Sequence, residues 1–103
     1  MMIDIHTHAW PEKVALRAQE SLEVLFRTRL VALPTVDNLL RFMGNHHIDI
    51  SVVCAVATKP EQVVSINDWL FSIRSNYIKV FCALHPDFLE WEKEIDRIRR
   101  YGD

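Results

Sequence analysis

Two histidines near the start of the chain, His6 and His8, have the spacing of a metal-binding pair. They lie in residues 3–8, where apolar and polar residues alternate, and this pattern predicts a β-strand. Alternate residues of a strand point to the same side, so Asp4, His6 and His8 would share one face, with the two histidine Cα atoms about 6.6 Å apart. Two imidazoles at that separation can bind one cation. The pair alone does not define a site, because catalytic zinc usually has three protein ligands and a water, and the competing interpretation is two exposed histidines that alternate by chance.

The composition is that of one small globular domain. The 103 residues are 50% hydrophobic and 25% charged, which allows a single core. The net charge is −2 and the sequence pI is about 6.2. The basic residues cluster only at Arg97, Arg99 and Arg100, a pattern typical of a solvated helix end. We therefore expect neither a nucleic-acid partner nor binding to an anionic membrane surface.

The two cysteines, Cys54 and Cys82, lie in separate apolar runs without CxxC spacing, which favours free thiols over a disulfide. No apolar stretch reaches the roughly 18 residues that a membrane-spanning helix needs. The amino terminus lacks the basic and then apolar pattern of a signal peptide. Together these features predict a cytoplasmic protein.

The remaining elements alternate between strands and helices. Continuous apolar runs predict buried strands at 50–57 and 78–84, and apolar residues at helical spacing predict helices at 11–26, 35–45, 58–76 and 87–101. This order predicts an α/β fold with a parallel sheet and right-handed crossovers, in a single domain over 1–103.

Helix starts and ends have their own signals. Thr35 can cap the second helix, and the pairs Thr58 with Glu61 and Asp87 with Glu90 have the spacing of capping boxes. We expect the second helix to end at Gly44 or Asn45, the residue types that best adopt a left-handed conformation.

Ligands of parallel α/β proteins bind at the carboxyl ends of the strands, and this chain has three such ends. The first carries His6, His8 and Trp10, and the third carries His85. His85 could orient a substrate or bind a metal, or it could make a hydrogen bond where the last helix starts. Trp10 could form the wall of a pocket, or pack as a lid on a neighbouring loop. Lys59, at the second end, could reach a substrate anion, but a lysine in an exposed loop usually has no such role.

His46 and His47 are predicted at the opposite end of the sheet, after a helix. A histidine there more often interacts with the last helix carbonyls than with a metal, so we interpret both as structural.

Several segments together resemble the amidohydrolase superfamily, in its amidohydrolase-related branch. They are the opening at 3–11, the segment 48–53, the run 57–62 and the segment 84–87, and they occur in the family's order over essentially the whole chain. The resemblance implies a (β/α)8 TIM barrel whose first strand supplies two histidine ligands, here His6 and His8, to a divalent metal, commonly zinc. It further implies that the metal activates water for attack on an amide, ester or lactone carbon of a small molecule. Some members of this branch instead decarboxylate aromatic acids.

The chain also departs from the family pattern in one large respect. A (β/α)8 barrel takes at least about 200 residues, and the family's later histidines and its aspartate, which serves as ligand and general base, have no counterpart here. We therefore expect the chain to correspond to the first three strands of an incomplete barrel, a truncated fragment that is inactive alone. Because its sheet edges would be open, we expect it to associate with another copy or with the missing carboxyl-terminal part of the barrel.

Two groups of alternatives remain at this point. TatD-like nucleases and histidinol-phosphatase-like phosphoesterases also begin with a His-x-His strand. A non-catalytic half-barrel that serves as an oligomerising or binding module is the interpretation from a different functional class.

Overall fold

The computed structural model describes residues 1–102, and in them helices alternate with the strands of one sheet. In chain order the elements are β1 (Ile3–Thr7), α1 (Glu12–Phe26), α2 (Val36–His46), β2 (Ile50–Cys54), a short 3₁₀ helix (Pro60–Gln62), α3 (Val63–Ile73), β3 (Ile78–Phe81) and α4 (Trp91–Tyr101). The sheet has the order β1-β2-β3, and both neighbouring pairs are parallel. The predicted α/β class with a parallel sheet is confirmed.

The core lies between one face of the sheet and helices α2 and α3. Val53 of β2 and Ile78 of β3 are buried there against Met43 of α2 and Leu70 of α3. Val53 also lies beside Val80 in the register, so both contribute to this face. Apolar burial of these side chains is the main force that holds the sheet to its helices.

The opposite face of the sheet carries side chains of mixed burial. The register places Val52 beside Lys79 and Cys54 beside Phe81 on this face. The Phe81 side chain is 63% exposed. The prediction that β3 would be buried on both faces is therefore wrong, whereas the centre of β2 is buried as expected.

Strands β2 and β3 are shorter than their apolar runs, and polar side chains bond backbone groups at or just beyond their carboxyl ends. The carbonyl of Cys54 is hydrogen-bonded by His8, and both backbone groups of Ala83 are bonded by Asn67. In β1 the pairing with β2 shifts between Asp4 and Thr7. The strict alternation predicted for this strand is therefore interrupted, and the Asp4 carboxylate accepts a hydrogen bond from the His6 N–H at 3.2 Å.

Helix α2 begins as predicted and ends later than predicted. The Thr35 hydroxyl accepts a hydrogen bond from the Asn38 N–H at 3.2 Å, as an N-terminal cap does. The left-handed residue at the end is His47, with φ of 57°, rather than Gly44 or Asn45. That conformation lets the Ile48 N–H donate to the Met43 carbonyl at 3.0 Å and turns Ile48 against the core. Packing of Ile48 thus outweighs the local preference for glycine.

The predicted capping boxes also form differently. Gln62, not Glu61, accepts hydrogen bonds from the Thr58 and Lys59 N–H groups at 2.9 and 3.1 Å. Before α4, the Glu90 carboxylate pairs with Lys93 at 2.7 Å instead of reaching back to residue 87. Turns occupy 86–87 and 89–90, and α4 starts at Trp91.

Helix α1 is largely exposed. Only Ala15 is fully buried in it, and Leu25 is 72% exposed. Within residues 1–102, no helix has the length and apolar content required to cross a membrane.

Candidate functional site

The two histidines of β1 lie side by side at the carboxyl end of the sheet. The ring centroids of His6 and His8 are 4.9 Å apart, and the ring planes meet at 67°. Both side chains are exposed to solvent. Sequence spacing predicted this proximity, and the interruption in β1 pairing does not separate the rings.

The orientation of His8 is fixed by the neighbouring strand. Its Nδ1 lies 2.9 Å from the carbonyl oxygen of Cys54, the last residue of β2. A carbonyl oxygen can only accept a hydrogen bond, so Nδ1 carries the proton and donates it. In a neutral imidazole this leaves a lone pair on Nε2, the atom that would bind a metal.

Residues on either side of His8 tie this segment to its surroundings. The Thr7 hydroxyl donates to the Val52 carbonyl at 2.9 Å, and the Trp10 N–H donates to the Pro34 carbonyl at 2.9 Å. The centroid of the Trp10 ring is 6.0 Å from that of His8. Trp10 is thus next to the histidine pair, where a pocket wall would be.

His85 lies in the loop after β3. Its Nδ1 accepts a hydrogen bond from the Asp87 N–H at 3.1 Å, in the turn that precedes α4 rather than at the start of that helix. Its side chain is only partly exposed. The bond uses Nδ1 alone, so Nε2 keeps its capacity for another partner.

The loop after β2 and the opposite end of the sheet contribute no further ligand. Thr58 donates its hydroxyl proton to Gln62 at 3.0 Å, as a helix-start residue does. His46 lies at the end of α2 with its ring centroid 4.2 Å from that of Phe42, and His47 is the left-handed residue of the same helix end. His46 and His47 therefore lie at the end of a helix, as predicted from the sequence.

Across residues 1–102, no three or more His, Cys, Asp or Glu side chains form a group that could hold a metal ion. His6 and His8 thus offer two nitrogen donors, which suit zinc by type but fall one short of the usual three. The two fit part of a metal centre.

A buried polar network behind the sheet was not predicted. Glu94 of α4 is 3% exposed and accepts hydrogen bonds from Asn67 of α3 and from Arg97. Arg97 also pairs with Asp68. The hydrogen bonds from Arg97 hold the pKa of the Glu94 carboxyl below its ordinary value, against the opposing effect of burial. The only sequence feature that could have indicated this network is the spacing of three residues between Glu94 and Arg97 on α4. The same spacing of opposite charges is equally common on exposed helix faces.

The cysteines are free and partly exposed. Burial, and after it the negative charge of Glu94, raises the pKa of the Cys82 thiol. A raised thiol pKa lowers the thiolate fraction at neutral pH, which argues against Cys82 as a nucleophile.

Comparison of the chain with models of protein families, with curated proteins and with solved structures found no match.

Proposed function

We propose that His6 and His8 are two ligands of a divalent metal ion, zinc by the chemistry of the donors, in a metal-dependent hydrolase. The observation that carries the proposal is the arrangement of the pair: the rings are 4.9 Å apart, and Cys54 holds His8 with Nε2 available. Metal-binding histidines commonly donate their second ring N–H to a carbonyl in this way, which fixes the tautomer and the ring direction.

The architecture that we propose around the pair is a (β/α)8 barrel, of which these residues form the first three βα units. Three parallel strands in sequential order support it, because barrel strands follow one another in this way. The exposed face that carries Phe81 would then be the barrel interior. The remaining ligands would come from further polypeptide or from a second copy of the chain.

The reaction that we propose is hydrolysis of an amide, ester or lactone bond in a small molecule. A bound divalent cation supplies Lewis-acid activation of water at neutral pH. Within this chain, His6 and His8 would hold the cation, and Trp10 would exclude water from one side of the substrate. Non-oxidative decarboxylation of an aromatic acid is the alternative outcome at the same centre.

A small-molecule substrate is favoured over the nucleic-acid substrate of TatD-like nucleases. The chain has a net charge of −2, whereas proteins that hold nucleic acid usually present clustered positive charge. Hydrolysis of a phosphoester is a second reaction that a screen of substrates can detect. Free Cys54 and Cys82 support a reducing compartment such as the cytoplasm.

Isothermal titration of the protein with Co²⁺ and Zn²⁺ tests the metal site. We expect binding of either ion to weaken by more than about tenfold in His6→Ala and in His8→Ala, since loss of even an outer-shell partner costs about 10–100-fold. The matched control is the double variant His46→Ala/His47→Ala, which removes two histidines from the opposite end of the sheet. Equal affinity in the wild type and in the His6→Ala/His8→Ala variant would refute the assignment.

A further inference from the structure

The loop that carries His85 is held by a buried amide. Asn67 is fully buried, and its Nδ2 donates to the Ala83 carbonyl at 2.9 Å while its Oδ1 accepts from the Ala83 N–H at 2.7 Å. The side chain therefore pairs with both backbone groups of Ala83, as a neighbouring strand would. Ala83 is two residues before His85, so this pairing fixes the point from which the loop departs.

The same amide is fixed from its other side. Asn67 Nδ2 also donates to Glu94 Oε1 at 2.8 Å, and Arg97 donates to both oxygens of Glu94 at 2.7 and 2.9 Å. Hydrogen bonds to charged groups are about twice as strong as neutral ones. Asn67 of α3 is thus hydrogen-bonded both to the backbone from which the loop departs and to Glu94 of α4.

His85 and His8 have opposite hydrogen-bonding character. The Asp87 backbone N–H can only donate, so Nδ1 of His85 must supply the lone pair, and in the neutral ring the proton is on Nε2. In His8 the Cys54 carbonyl requires the reverse. One imidazole at this edge of the sheet therefore offers a lone pair from Nε2, and the other offers an N–H from Nε2.

We propose that His85 is a substrate-binding residue whose Nε2–H donates to a carboxylate of the substrate, and that Asn67 is the residue that positions it. This rests on the proposed function, with the reacting bond over the β1 histidines. The ends of β1 and β3 are two strand spacings apart, about 9–10 Å, which suits a small acid with its carboxylate remote from the reacting carbon. Exposed Lys59 follows the strand between them and adds positive charge.

Nitrogen-15 NMR of the histidine side chains tests the donor directly. We expect the Nε2–H tautomer for His85 and the Nδ1–H tautomer for His8, and we expect added benzoate to shift the Nε2 signal of His85. The shift should persist in His6→Ala/His8→Ala, so that loss of the metal site and failure of this proposal are distinguishable. A response to inorganic phosphate alone would overturn the carboxylate assignment. An Nδ1–H tautomer at His85, or no response to either anion, would overturn the proposal.

The positioning role is tested by a pair of variants. Asn67→Ala removes the bonds to Ala83, whereas Glu94→Gln keeps an acceptor for Asn67 and removes the charge and one of the two oxygens that accept from Arg97. We expect benzoate affinity to fall by about tenfold in Asn67→Ala, the equivalent of one typical hydrogen bond, and to stay within about twofold in Glu94→Gln. Equal weakening in both variants would show a general structural role and overturn the assignment of Asn67. If Asn67→Ala does not fold, Asn67→Ser replaces it in the same comparison.

Discussion

The two sides of this molecule are built differently. The side formed by α3, β3 and α4 contains fully buried Leu70 and Asn67 and a charged network around Glu94. The side formed by β1 and α1 contains the histidine pair, with exposed apolar residues such as Ile5 and Val24, which are 71% and 80% exposed. The proposed metal ligands thus lie on the loosely packed side, whereas His85, the proposed substrate-binding residue, lies in the loop after β3 on the well-packed side.

This difference indicates how the site is held. His8 does not depend on α1 for its orientation, because its hydrogen bond runs to Cys54 of the central strand. The central strand is in turn packed through Val53 on the core between α2 and α3. The well-packed side therefore orients His8 through the central strand, and substitutions on the two sides should differ sharply in their effect on stability.

The largest effect is expected in the core. Leu70→Ala removes a fully buried side chain from the cluster around Val53 and Ile78. We expect a loss of about 2–5 kcal/mol in the free energy of unfolding, from lost burial and the cavity left behind. Urea denaturation followed by circular dichroism measures it. A loss below about 1 kcal/mol would contradict the division between the two sides.

A smaller and pH-dependent effect is expected at Glu94. Because the folded-state pKa of this carboxyl is lowered, its contribution is fully present above the ordinary glutamate pKa and is lost as the pH falls through the lowered folded value. We expect Glu94→Gln to cost about 1–3 kcal/mol at pH 7, with the difference from the wild type shrinking in acid.

Denaturation at pH 7 and at pH 3 measures this dependence. The control is Glu92→Gln, an exposed position on the same helix, which should change stability by less than about 0.5 kcal/mol. A constant deficit for Glu94→Gln at both pH values would contradict the ionic origin of the stabilisation.

The smallest effect is expected on α1. Leu25→Ala changes a leucine that is 72% exposed, so we expect stability to change by less than about 0.5 kcal/mol. It is the matched control for Leu70→Ala, since the chemical change is the same. A loss as large as that of Leu70→Ala would mean that α1 packs against a partner in solution.

Hydrophobic patterning predicted the class, the order of elements and the proximity of His6 and His8, because these follow from local periodicity. It failed where distant groups decide the outcome. The end of α2 at His47 depends on the packing of Ile48, and beyond the end of β3 the backbone of Ala83 is bonded by the Asn67 side chain. The hydrogen bond from His8 to the Cys54 carbonyl was equally unpredictable from the sequence, because every residue has a backbone carbonyl.

The most direct test of the account is a crystal structure of the protein grown with zinc, with anomalous diffraction collected at the zinc edge. We predict a zinc peak between the rings of His6 and His8, about 2.0–2.1 Å from His8 Nε2 and from a ring nitrogen of His6. Zinc bound only at His46 and His47, or an empty β1 site under saturating zinc, would contradict the central claim.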